Sequence, residues 1–134
     1  MTELRDPLTH NIIGAAIEVH RHMGPGLLES AYEECLTHEL SLRNLAVRRQ
    51  VAMPISYKGQ TLELGYRPDL VVEGQVVVEL KCVEKLISVH EAQLLTYLRL
   101  SGIERGLLIN FMSNPLINGI KRLVRTRSAN SQTS

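Results

Sequence analysis

The stretch 66–81, YRPDLVVEGQVVVELK, limits the possible folds more than any other part of this chain. Two valine-rich runs flank Glu73-Gly74-Gln75, a glycine-containing loop, so 69–72 and 76–81 read as the arms of a β-hairpin. Strand side chains alternate, which puts Glu79 and Lys81 on one face and Leu80 on the other. A three-residue loop sets Asp69 directly opposite Glu79, with Cβ atoms roughly 4.5–5.5 Å apart. A two-residue loop would slip the register by one and destroy that apposition. Like charges placed opposite one another destabilise a bare sheet. Charged side chains are seldom buried unless paired or holding a metal. Asp69, Glu79 and Lys81 therefore either face water, with Lys81 pairing a carboxylate, or form a site. As a site, the two carboxylates suit a hard cation such as Mg²⁺ or Mn²⁺. Lys81 would then orient or activate a water, or stabilise charge on a phosphate.

Upstream, 7–22 reads as a helix, with Pro7 suited to its first turn after Asp6 and apolar positions at Ile12, Ile13, Ala16, Ile17 and Val19. Gly24-Pro25-Gly26 stops it. A second helix spans about 27–44, with Leu28, Ala31, Tyr32, Cys35, Leu36 and Leu40 on one stripe. The period then changes: Val47, Val51, Met53, Ile55 and Tyr57 alternate with polar residues as in a half-buried strand. Lys58-Gly59 turns the chain into a strand carrying Leu62, Leu64 and Tyr66, which Pro68 interrupts. After the hairpin, Ser88-Val89-His90-Glu91 reads as a capping box opening a helix to about Leu100, followed by a strand over 105–111. From Ser113 the expectation is a short amphipathic helix and then a loose polar tail, SANSQTS. The element order is α-α-β-β-β-β-α-β.

At 134 residues the chain is long enough for one cored domain, 1–134, with its core at about 8–112 and an extension over 113–134. A net charge of +1 excludes a strongly basic nucleic-acid binder, so any cationic surface must be local. Two cysteines, Cys35 and Cys82, form no zinc-type array and suit a reducing, cytoplasmic setting. The opening MTELRDPLTHN has no apolar core and does not read as a signal peptide. No run approaches the roughly 20 apolar residues that span a bilayer, so no membrane association is expected.

Pro68-Asp69, followed after residues 70–78 by Glu79-Leu80-Lys81, resembles the signature of the PD-(D/E)XK nuclease superfamily. The segments IIGAAIEVH, GPGLLESAYEE and VHEAQLLTYL, with Gly26-Leu27-Leu28-Glu29-Ser30-Ala31-Tyr32, are similar to the GxxExxY family placed within it. Gln93 and Tyr97 match the QxxxY spacing of its lambda-exonuclease- and RecB-like branch. The resemblance covers roughly residues 8–112. It implies an α/β fold with a restriction-endonuclease-like αβββαβ core, an additional N-terminal helix and a short C-terminal extension. It also implies a Mg²⁺- or Mn²⁺-dependent nuclease acting on nucleic acid, DNA in preference to RNA. The alternative is a catalytically silent nucleic-acid-binding or protein-interaction module on the same fold.

On that resemblance Asp69, Glu79 and Glu29 would hold the metal, Lys81 would serve the attacking water, and Gln93 and Tyr97 would position substrate or water. Without it, Glu29 is a carboxylate complementing a helix dipole, and Glu18, beside His20 and His22, is its rival for the site. His90, Gln93 and Tyr97 share one helix face; His90 reads as a solvated first-turn residue. Arg48 and Arg49, and the run Lys121, Arg122, Arg125 and Arg127, are the local cationic clusters available to phosphate. The apolar residues of the first helix leave room for a homodimer.

Overall fold

The computed structural model describes residues 6–126. Three helices, α1 (Pro7–Met23), α2 (Glu29–Leu42) and α3 (Ser88–Ser101), enclose a mixed sheet. Its strands are β1 (Val47–Arg49), β4 (Leu70–Val72), β5 (Val76–Lys81), β6 (Arg105–Asn110) and β7 (Ile120–Val124), in the order β1-β4-β5-β6-β7. A separate two-stranded hairpin, β2 (Ile55–Tyr57) with β3 (Gln60–Leu62), is inserted between β1 and β4. Only β5 and β6 run parallel, and α3 makes the crossover that a parallel pair requires. The core order α2-β1-β4-β5-α3-β6 is the expected restriction-endonuclease-like αβββαβ arrangement, with α1 added in front.

The helix ends follow local chemistry. Asp6 caps α1, its Oδ2 accepting the Thr9 N–H at 3.0 Å, and Pro7 needs no N–H at the first position. The Gly24 N–H closes the helix on the His20 carbonyl. Helix α3 starts one residue earlier than a Ser88 cap would require: Ile87 is the cap residue and Ser88 is already helical. The reach-back falls to His90, whose Nδ1 accepts the Ile87 N–H at 3.0 Å. Glu91, expected in that role, instead meets Lys121 Nζ at 2.6 Å.

Two apolar layers flank the sheet. On one face α1 and α2 contribute Ile12, Ala16, Tyr32, Leu36 and Leu40 against Leu70, Val72, Val76, Val78 and Leu80. On the other, Leu94, Tyr97 and Leu98 of α3 cover Val71, Val77 and Leu108. Each such aliphatic side chain contributes about 1.5–3 kcal/mol relative to exposure. Close seating of α3 depends on Gly106, where a Cβ would lie 3.0 Å from Leu94 Cδ1. Ile12, Ile13, Ala16 and Val19 of α1 are buried within this one chain, while Ile17 stays exposed.

Four further expectations need correction. Residues 47–57 do not form one strand: Gln50 adopts φ 52, and the next strand begins at Ile55, in the other sheet. A left-handed residue cannot keep the extended path of a strand, so the β1–β4 ladder goes no further than the Gln50 N–H, and alternation alone does not reveal it. The following strand ends at Leu62, so Leu64 lies exposed, as does Leu28, which sits at the cap of α2 rather than on its buried stripe. The segment after Ser113 is a 3-10 turn, Leu116–Gly119, and then β7, which pairs antiparallel with β6. Ile120 and Leu123 pack inward on opposite faces of that strand, which is why it does not read as an amphipathic helix. The SANSQTS tail lies outside the described residues.

Candidate active site

The hairpin holds the register of a three-residue loop. Leu70 pairs with Val78 and Val72 with Val76, so Asp69 lies opposite Glu79 just beyond the last bridge. Glu73 and Gly74, both with positive φ, make the turn, and the Gln75 N–H closes it on the Val72 carbonyl at 2.9 Å. Val71 and Val77 pack under α3, and alternation places Asp69, Glu79 and Lys81 on that same face.

The two carboxylates are locked by backbone. Glu79 Oε1 accepts the Asp69 N–H at 2.7 Å, and Asp69 Oδ2 accepts the Leu80 N–H at 2.8 Å. Glu79 is only 4% exposed. Burial, and then the neighbouring Asp69 charge, raise the Glu79 carboxyl from 4.5 to about 8, although Lys81 pulls the other way. Burial likewise raises Asp69; the Leu80 N–H opposes this, and the charges of Glu33 and Glu29 add to it. Four acidic groups thus act on one place, and without a cation the pair retains a proton at neutral pH.

Glu29 stands at the start of α2, where its Oε2 accepts the Cys82 N–H at 3.1 Å, one residue past Lys81. The neighbouring loop explains this placement. Tyr32 is fully buried, stacks on Phe111 at 4.4 Å, donates its hydroxyl to the Gly24 carbonyl and accepts the Leu27 N–H at 3.2 Å. Gly26 supplies a φ of 109 that other residues avoid. Gly26, Glu29 and Tyr32 therefore form one device that ties the entry to α2 to the end of β5. Tyr32→Phe leaves the Gly24 carbonyl and Leu27 N–H unpaired. It should lower stability by about 1–3 kcal/mol in urea denaturation.

Glu33, one helical turn after Glu29, was not anticipated. It is buried, and its Oε2 meets Arg49 Nε at 3.0 Å while its Oε1 accepts from Gln50 Nε2 at 3.1 Å. The i, i+4 spacing of Glu29 and Glu33 was the available signal. On α3, Gln93 Nε2 donates to the Tyr97 hydroxyl at 3.3 Å. Burial first, and then the Glu79 charge, push the Tyr97 hydroxyl above its usual value, which places it in the field of the carboxylate pair. Asp69, Glu79, Lys81, Glu29, Gln93 and Tyr97 are thus brought to one region.

Glu18 is placed differently: on α1 it pairs with Arg21 at 2.5 Å and His22 at 2.8 Å. Arg48 is exposed on β1 opposite Val71, whereas Arg49 binds Glu33 and Glu34. Lys121 pairs with Glu91, and Arg122 lies exposed on β7. Arg127 lies outside the described residues.

As a cation site, the pair offers hard oxygen donors, partial desolvation and uncompensated like charge, which fits Mg²⁺ or Mn²⁺. Among the described residues no group of three or more His, Cys, Asp or Glu side chains stands ready to hold a metal ion. Two carboxylates still suffice for Mg²⁺, which characteristically keeps several waters. A cavity of about 420 Å³ lies elsewhere, lined by residues including Ile17, His20 and Leu116 and by none of the acidic groups. No helix among the described residues is long and apolar enough to cross a membrane. A family model described as the PD-(D/E)XK nuclease superfamily matches residues 6–123. No curated protein and no solved structure matches the chain.

Proposed function

Because the chain belongs to the PD-(D/E)XK nuclease superfamily, we propose that it hydrolyses phosphodiester bonds of nucleic acid, preferring DNA, with a Mg²⁺ or Mn²⁺ ion held by Asp69 and Glu79. The observation that carries this reading is the pair itself: two apposed, partly desolvated carboxyls, one raised to about 8, on a central hairpin. Such an apposition is destabilising when both groups are ionised, and a bound cation removes that penalty. When bound, the cation supplies Lewis-acid stabilisation of phosphoryl charge and activation of water.

The chain's own groups supply the rest. Lys81, two residues along the strand from Glu79, brings a positive charge to the attacking water and the phosphoryl oxygens. Gln93 and Tyr97 donate hydrogen bonds to substrate phosphate or water from α3. Glu29 completes the acidic set from the start of α2, in preference to Glu18, whose oxygens are engaged on α1. Gly26, Glu29 and Tyr32, with the Gln93–Tyr97 spacing, support placement in the GxxExxY family on the lambda-exonuclease- and RecB-like branch. Arg48 and Lys121 lie on the same sheet face as the site and are available to substrate phosphate.

The test is incubation of the purified protein with supercoiled, linear and single-stranded DNA, and with RNA, in Mg²⁺ or Mn²⁺ and with chelator. Cleavage of DNA that needs the cation is the expected result. Binding that persists in chelator, with no cleavage of any substrate, would instead establish a non-catalytic nucleic-acid module.

A further inference from the structure

Gln50 has no part in the proposed chemistry, yet its backbone geometry beside Asp69 is unusual for its residue type. It follows β1 directly and has φ 52, a left-handed conformation that non-glycine residues seldom adopt. Asparagine and aspartate are the non-glycine residues that tolerate that conformation best. A glutamine there incurs backbone strain on the order of 1–3 kcal/mol. Its N–H donates to the Asp69 carbonyl at 3.0 Å, which extends the β1–β4 ladder by one bond. Its side-chain Nε2 lies 3.1 Å from Glu33 Oε1 and 3.3 Å from Asp69 Oδ1.

A carboxamide NH₂ has two donors, and here each has a different carboxylate as its acceptor. The positive end of the amide dipole sits between two negative groups from separate elements, α2 and the strand leading into β4. Glu33 is anchored on its other oxygen by Arg49. The chain Arg49–Glu33–Gln50–Asp69 therefore leads from a fixed ion pair to the one Asp69 oxygen that the Leu80 N–H does not hold.

We propose that Gln50 is a positioning residue: its amide bridges Glu33 and Asp69 and fixes the Asp69 carboxylate in the orientation that receives the cation. This rests on the nuclease reading for its purpose, but the bridge can be tested without it. The choice of residue supports the assignment. Glycine or asparagine would relieve the backbone; glycine has no amide, and asparagine is one methylene shorter along the path to two carboxylates. Methionine matches the length of glutamine and donates nothing.

The first measurement uses the metal-free protein. The side-chain NH₂ resonances of Gln50 should move in nitrogen-proton correlation spectra on Glu33→Gln and again on Asp69→Asn. The second is Mn²⁺ titration by calorimetry, where Gln50→Met and Gln50→Gly should each bind about 10- to 100-fold more weakly, the effect usual for groups that orient a metal ligand. Gln50→Gly should at the same time unfold at an equal or higher temperature, separating the amide from the strain. Resonances indifferent to both carboxylate variants would overturn the bridge. Moved resonances with wild-type Mn²⁺ affinity in Gln50→Met would overturn the positioning role. A wild type that shows the bridge but neither binds Mn²⁺ nor cleaves removes the nuclease reading and leaves the bridge standing.

Discussion

Glu79→Gln is expected to reduce cation-dependent cleavage by roughly 10³-fold, since several kcal/mol of charge stabilisation would depend on the ion that it and Asp69 are proposed to hold. The same change should make the metal-free protein more stable in alkaline solution. The two effects have one origin. Glu79 is buried opposite Asp69, and its ionised form is opposed by burial and by that neighbour. Glutamine keeps an oxygen for the Asp69 N–H, which Glu79 accepts at 2.7 Å. It removes the charge that only a cation would justify. A damaged core would move both quantities downward, so opposite signs identify a functional group. The measurements are a cleavage time course in Mn²⁺ and urea denaturation in chelator at pH 9. Unchanged cleavage would remove Glu79 from the chemistry. Lys81→Ala supplies the contrast, because it should retain Mn²⁺ binding while cleavage falls by about 10²- to 10³-fold.

The second large effect is the pH dependence of the metal-free wild type. Glu79 titrates near 4.5 when unfolded and near 8 when folded. Between those values the native state binds the extra proton, so stability falls as pH rises. The contribution is fully present below about pH 4.5 and is lost as pH passes through 8. The displacement corresponds to on the order of 5 kcal/mol. Asp69, raised in the same direction, adds to the fall at the acidic end. Urea midpoints in chelator at pH 5, 7 and 9 should decline in that order. Mn²⁺ at a hundredfold excess over its dissociation constant should restore about 2.7 kcal/mol where it binds the ionised pair. A flat profile would mean that the carboxyls ionise without hindrance and that the site has no need of a cation.

How much of this could be read beforehand depended on whether local chemistry or distant packing decided the matter. The hairpin register was legible because Gly74 and its neighbours permit a tight three-residue turn, and the turn alone sets which residues oppose. The start of α1 was legible from Asp6-Pro7 and the end of α3 from Gly102, whose φ of 77 ends the helix in the usual left-handed way. The apposition of Asp69 and Glu79 followed directly from the register. Strand β7 was obscured because its inward residues, Ile120 and Leu123, are separated by Lys121 and Arg122 and resemble a basic tail. The break at Gln50 was invisible because Val47, Val51 and Met53 keep an alternating appearance across it. Glu33 was passed over for a related reason. The Glu29–Glu33 spacing puts both on one helix face, but the burial of Glu33 is imposed by Arg49 and Gln50, which arrive from another part of the chain.

The two strands of the acidic hairpin are both interior, with β4 flanked by β1 and β5, and β5 by β4 and β6. Their carboxylates lie at the open end of the hairpin, whereas Glu73-Gly74-Gln75 lies exposed at the other end, four residues of strand away, or about 13 Å. This separation offers a practical attachment point. A fluorescent dye at Gln75 would ride on a rigid hairpin whose far end holds the acidic pair. It could follow tumbling and complex formation in real time without touching a group on which the chemistry depends.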